Sequence, residues 1–260
     1  MTNTRAIVLR AAGINCDGET VRALQRAGAA AELVHLERVL QEPARLEDCS
    51  LLVLPGGFSY GDDVAAGRVF GFEMRHGLSR ELQAFVARGG YVLGVCNGFQ
   101  VLVESGLLEP VAGARSIALT NNHSARFECR WISLRAEACA ASWLDTQTVL
   151  PAPIAHGEGR LCLRDEASLA RLERNGQIAL RYVRADGSPA RGYPDNPNGS
   201  LADIAGLCDR TGRVLGLMPH PERNLDPWNH PHWTRRPPRA EGEGLAFYRR
   251  LVEAASLAPV

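Results

Sequence analysis

A cysteine framed by glycines, a histidine two residues before a glutamate, and a proline followed by paired glycines are the features of this chain best suited to chemistry. Gly94-Val95-Cys96-Asn97-Gly98 stands where an apolar run gives way to a helical pattern. Glycine at both second neighbours permits the sharp strand-to-helix turn that displays a nucleophile. A thiol there lies at a helix N-terminus, where the peptide dipoles favour the thiolate. The N–H of Asn97 would face the same space as one donor to an oxyanion. Taken alone, the five residues are equally compatible with a buried structural cysteine beside an ordinary turn.

His220-Pro221-Glu222 supplies a possible base and its orienter. It follows an apolar run at 214–218, and in an extended segment residues two apart project to the same side. Pro221 favours extended geometry at the residue before it. One imidazole can then face a nucleophile while the carboxylate holds its tautomer. By itself the tripeptide is more often a surface turn. A second oxyanion donor is expected from Pro55-Gly56-Gly57-Phe58, because glycine lets the backbone approach a carbonyl closely. A Gly-Gly pair after a strand is also a common turn.

Other polar residues stay open at this level. Ser59-Tyr60-Gly61-Asp62-Asp63 reads as a loop beside the expected pocket, touching substrate, touching a partner, or merely solvated. Arg223 could pair with a carboxylate but reads by default as exposed. His230 and His232 lack further clustered ligands, so no metal site is expected. Residues 224–244 read as an extended surface segment, partner-facing or wrapping.

The elements that would position these residues are short apolar strands alternating with amphipathic helices. Strands are expected at 6–9, 32–36, 51–54 and 91–95, with helices at 19–27, 79–88 and 97–104. Such alternation indicates a mostly parallel sheet flanked by helices, an α/β fold whose ligands bind beyond the carboxyl ends of the strands. Pro55-Gly56-Gly57 and Cys96 both fall at such ends. The second half reads as a β-rich excursion, with strands at 126–134, 150–156, 161–163, 178–183 and 214–218. A final helix over 247–255 falls within a C-terminal helical stretch at 245–260. The expected organisation is a single domain over 1–260.

Composition excludes several classes. Net charge is zero, with 29 basic and 29 acidic residues mixed along the chain, which argues against a nucleic-acid binder. Every basic residue is arginine, so neither a Walker A loop nor lysine Schiff-base chemistry is available. The seven cysteines show no CxxC pair or zinc spacing, no apolar run reaches membrane-spanning length, and the first residues lack a signal-peptide pattern. A cytoplasmic location, without membrane association, is therefore expected, with most thiols inert in the core.

The elbow GVCNGFQ, the loop PGGFSYGDD and the ending MPHPER resemble the class I glutamine amidotransferases. Within that family the chain most resembles the glutaminase component of phosphoribosylformylglycinamidine synthase, through GINCDGET, NNHSARFECRW, PIAHGEGR and YPDNPNGSLADIAGLCD. The likeness covers residues 5 to 223. It implies a flavodoxin-like open sheet, Cys96 as nucleophile, His220 as general base and acid, and Glu222 as its orienting partner. It also implies oxyanion stabilisation by the Gly57 and Asn97 backbone, and glutamine contacts from Gln100, Phe58 and His156, with Glu158 in the same loop as His156. L-Glutamine would be the substrate. The partner would be an ATP-dependent synthetase subunit, with or without a small bridging subunit, and ATP and Mg would belong to that partner, leaving no cofactor in this chain. The competing readings are a glutaminase for another synthetase, a free-standing cysteine hydrolase, and a non-catalytic regulatory subunit.

Overall fold

The run Leu51–Leu54 is buried at all its positions, the pattern of a strand covered on both faces. The computed structural model describes residues 4–109 and 115–257. In it this run is β3, paired in parallel with β1 (Arg5–Arg10) and β4 (Tyr91–Val95). Strand β2 (Ala30–His35) joins the free side of β1, and β11 (Val214–Leu217) joins β4, both in parallel. The order β2-β1-β3-β4-β11 is the flavodoxin-like arrangement, with all five carboxyl ends at one edge.

The β-rich second half continues the same sheet. Antiparallel pairing runs outward from β11 through β10 (Ile204–Cys208), β9 (Ile178–Val183), β6 (Glu128–Ala136) and β7 (Leu150–His156), making nine strands. A separate antiparallel pair joins β5 (Ile117–Thr120) to β8 (Arg160–Leu163). Among the described residues, seven α-helices flank these strands: α1 (Asp17–Arg26), α2 (Leu36–Gln41), α3 (Arg68–Gly77), α4 (Ser79–Ala87), α5 (Asn97–Ser105), α6 (Glu166–Arg174) and α7 (Glu243–Ser256).

Several expectations need correction. The strand expected at 32–36 ends at His35, whose ring accepts from the Glu37 N–H and caps α2. The strand expected at 126–134 lies at Glu128–Ala136, where it pairs in register with β7. Helix α7 begins at Glu243, ahead of the stretch expected at 245–260, and 258–260 lie outside the described residues. Segment 224–244 is not simply a surface strap, since Asn224, Leu225, Asp226 and His230 are buried. Cys16, Cys49, Cys96 and Cys208 are buried, in keeping with most thiols lying in the core, while Cys129 is exposed and Cys139 and Cys162 are half-buried.

Close packing explains the glycines around the elbow. A methyl group on Gly98 would lie 1.9 Å from the Leu54 carbonyl oxygen, and one on Gly94 would lie 2.5 Å from that of Gly98. Neither glycine adopts positive φ. Their contribution is to let α5 press onto β3 and β4, and the turn's strain falls on the cysteine between them.

Candidate active site

Strand β4 delivers Cys96 and β11 delivers His220 at the same sheet edge, because the two strands are parallel neighbours. Cys96 has φ 52 and ψ −107, a conformation that L residues rarely adopt. Such strain is retained where the surrounding packing holds it, most often at functional positions. The residue caps α5 and accepts from the N–H groups of Phe99 and Gln100. The N–H of Asn97, as the helix opens, has no intrahelical acceptor.

His220 and Cys96 meet across Gly56. A methyl group there would lie 2.8 Å from His220 Cε1 and 3.4 Å from Cys96 Cβ. Glu222 Oε1 lies 2.6 Å from His220 Nδ1, and both side chains are buried. The local geometry differs from the expected extended segment. Pro221–Arg223 is a 3₁₀ turn, and it folds the carboxylate back onto the ring. The His220 N–H also donates to Pro153 O of β7 at 2.9 Å.

Burial alone would disfavour the His220 imidazolium. The Glu222 carboxylate and the Cys96 sulfur outweigh it and raise the pKa to about 10. Nε2 of the ring is buried without a hydrogen-bond partner among the described residues. Cys96 Sγ lies 3.8 Å from Ala155 O. Tyr248 of α7 donates its hydroxyl to Glu222 Oε2 at 3.3 Å, so each carboxylate oxygen has a partner. Sequence reading missed Tyr248, since nothing in a helical stretch signals which residue reaches a distant carboxylate.

Gly57 has φ +146, and a methyl group on it would lie 2.7 Å from Ile14 Cα, so only glycine fits. Gly57 bridges Ile14, but the hydrogen bonds beside that bridge run from Cys16 N to Gly56 O and from Phe58 N to Gly13 O. In such a non-hydrogen-bonded pair the residue's own N–H points away from its partner. Gly57, Phe58, Cys96, Gln100 and His156 line one cavity of about 140 Å³. Phe58 is 45% exposed at this cavity.

Gln100 is buried rather than solvated, with its amide held at both ends by Asn97 Nδ2 and Glu158 O. His156 is buried, and its pKa is lowered to about 3 by burial and then by the nearby His220 charge. Arg223 is not an exposed cation. Its Nε donates to Glu19 at 2.8 Å and its Nη2 to Cys16 Sγ at 3.1 Å. Cys16, Glu19 and His220 bring ligand atoms within 4.8 Å of one another, with Arg223 donating to the first two and Glu222 paired with Nδ1 of the third. His230 packs 5.1 Å from Trp131 and 5.8 Å from His232, ring centre to ring centre, and no third ligand joins the two histidines among the described residues.

The arrangement can support nucleophilic attack on a carbonyl. It combines a strained thiol that lines a cavity with Gly57 and a buried imidazole–carboxylate couple that meets the thiol's residue across Gly56. Comparison with known proteins agrees with that chemistry. The CobB/CobQ-like glutamine amidotransferase domain matches residues 3–253. Phosphoribosylformylglycinamidine synthase subunit PurQ of Dehalococcoides mccartyi is 40% identical over 258 residues, covering 98% of this chain and 99% of its own. The subunit of the same name from Treponema denticola is 44% identical, covering 85% of this chain and 88% of its own. A chain in the structure of PurLQS from Thermotoga maritima superposes with a TM-score of 0.72 at 30% identity, covering 96% of this chain and 98% of that one. Among the described residues no helix is long and apolar enough to cross a membrane.

Proposed function

The chain belongs to the glutamine amidotransferase family of the CobB/CobQ-like domain, and on that premise we propose that Cys96, His220 and Glu222 are its catalytic triad. It is the glutaminase subunit of phosphoribosylformylglycinamidine synthase, supplying ammonia for purine biosynthesis. The synthetase subunit is its partner, and ATP with Mg belongs there, because this chain has neither lysine nor a phosphate-binding glycine fingerprint.

The reaction follows from the positions. The Cys96 thiolate attacks the side-chain carboxamide carbon of glutamine, and the Gly57 and Asn97 N–H groups receive the oxyanion. His220 gives its Nε2 proton to the departing ammonia, leaving a glutamyl thioester. The same nitrogen then takes a proton from water, whose oxygen attacks the thioester and releases glutamate and the thiol. Glu222 keeps the Nδ1–H tautomer and supports the imidazolium between these transfers. Gln100, Phe58 and His156 hold the substrate in the cavity.

The observation that carries this reading is the convergence of a cysteine at φ 52 with His220 over Gly56, while Glu222 sits 2.6 Å from the far ring nitrogen. Reconstitution with the synthetase tests it, with glutamine and ammonium compared as nitrogen donors. Cys96→Ala is expected to abolish glutamine-dependent synthesis and to spare the ammonium-dependent reaction. Loss of both reactions, or of neither, defeats the assignment.

A further inference from the structure

The same cavity has a second chemical character, opposite to that of the oxyanion side. Its wall carries the carboxylates of Asp62 and Glu158, and none of its described lining residues is a cation. Asp62 is reached through a loop in which Tyr60, Gly61 and Asp62 all have positive φ. Its Oδ1 accepts from Asn97 Nδ2 at 3.3 Å, which ties it to the residue beside the nucleophile. Glu158 Oε2 accepts from the Ala66 N–H at 3.4 Å, and its backbone oxygen accepts from Gln100. Burial, together with the neighbouring Glu158, raises the Asp62 carboxyl above its usual range. Two half-buried carboxylates therefore share a confined space with no opposing side-chain charge among its described lining residues.

An independent feature lies in the same wall. Asn122 Nδ2 donates to Arg126 O at 2.9 Å and to His156 O at 2.8 Å, so Asn122 Oδ1 must act as acceptor. That oxygen accepts from the Gly159 N–H at 3.2 Å and from His156 Nδ1 at 3.0 Å. The bond sets the Nδ1–H tautomer of a neutral ring and leaves Nε2 a lone-pair acceptor. Nε2 is buried and has no partner among the described residues. Two carboxylates and one buried imidazole nitrogen are all acceptors, and an ammonium group offers three N–H donors with a compensating charge.

We propose that Asp62 and Glu158, assisted by His156 Nε2, bind the α-ammonium group of the substrate and so select a free α-amino acid amide. The inference rests on the glutaminase reading, which places the carboxamide end of glutamine at Cys96. The α-ammonium sits at the opposite end of that short chain, within the same cavity. Asn97 links the ends physically: its backbone N–H serves the oxyanion, and its side chain holds both Asp62 and Gln100.

The test compares L-glutamine with glutaramate, its analogue lacking the α-amino group, using the complex with the synthetase. The wild type is expected to favour glutamine in kcat/KM by about 100-fold. Asp62→Asn and Glu158→Gln are each expected to lower that preference by about 10- to 100-fold, through KM for glutamine, as loss of a charge-assisted hydrogen bond requires. Turnover of glutaramate should change by less than about threefold in the same variants, which a merely structural role would not produce. Ammonium-dependent synthesis checks that each variant still assembles. Equal losses for both substrates, or an unchanged preference, overturn the inference while leaving the wild-type glutaminase reading intact. Failure of the wild-type complex to use glutamine would instead defeat the glutaminase reading itself.

Discussion

Cys16 and Cys96 form a comparison that the fold itself sets up. Each caps the N-terminus of a helix, each is buried, and the two flank the same glycine, Gly56. Position at a helix dipole therefore does not distinguish them. Cys16 has ordinary backbone geometry at φ −97, and α1 carries Asp17 and Glu19 in its first turn. Burial, then the neighbouring carboxylates, keeps its thiol protonated far above the usual range despite Arg223 beside it. Cys96 is held at positive φ, its helix has no acidic residue in the first turn, and it opens on a cavity. Cys16 also lies within 4.8 Å of a His220 ring nitrogen, but its thiol stays protonated, Asp17 and Glu19 oppose its helix dipole, and it does not line the cavity that Cys96 lines.

The sharpest test of that difference is paired removal of the thiols. Cys96→Ala should reduce glutamine hydrolysis by about 10⁴-fold or more if Cys96 is the nucleophile proposed above. Cys16→Ala should cost about 1 kcal/mol of stability through the small void it leaves and keep hydrolysis within about tenfold. A Cys16→Ala variant as inactive as Cys96→Ala would erase the distinction.

Gly56→Ala challenges the same boundary from between the thiols. Its methyl group would meet Cys16 Sγ at 3.0 Å as well as His220 Cε1 and Cys96 Cβ. Displacing the imidazole by a fraction of an ångström should lower kcat by about 100-fold with a smaller change in KM. Wild-type turnover in this variant would show that the close meeting is not needed.

A smaller effect is expected from Tyr248→Phe, which keeps the buried ring and removes the hydroxyl on Glu222 Oε2. Cys16 also neighbours His220, but burial holds its thiol protonated, so the change should act on Cys96 chemistry. The expected result is a roughly tenfold fall in kcat with KM held, the scale of one hydrogen bond to a charged group. Equal changes in kcat and KM would assign the tyrosine to packing.

The smallest effect separates the thiols by charge. His220 is raised to about 10, and Cys96 is among the largest causes, which do not include Cys16. A raised histidine contributes stability that is fully present below its unfolded value of about 6.5 and is lost as pH rises through the folded value. Cys96→Ala should move that loss to lower pH, read from the ring titration by NMR and from urea unfolding between pH 7 and 10. Cys16→Ala should leave it in place. The opposite pattern would reverse the roles given to the two sulfurs.

Much of the parallel half of the fold was legible, because runs such as Leu51–Leu54 and Tyr91–Val95 are apolar and bounded by glycine or proline. The strand Ile204–Cys208 was missed. Its central Gly206 weakens the pattern, and its pairing with β9 shifts register there. A methyl group on Gly206 would lie 2.8 Å from Gly216 O, so the glycine belongs to close strand packing that no local window reveals. Helix α3 was missed for a related reason, since Gly71 lowers helical propensity but lets the helix approach within contact of Glu104 on α5.

At the site, the sequence by itself determined the reactive groups and the elements that carry them: a thiol after a strand, an imidazole and carboxylate two residues apart, and glycines after Leu54. Those follow from local propensity and chemical type. Only the tertiary structure decided that Pro221–Arg223 turns back in a 3₁₀ geometry, that Tyr248 reaches Glu222, and that Arg223 is spent on Cys16 and Glu19. It also decided which of two helix-capping cysteines faces a cavity. The reason is distance along the chain. These contacts join residues from 26 to 207 positions apart, and strand order, not any neighbouring residue, brings them together.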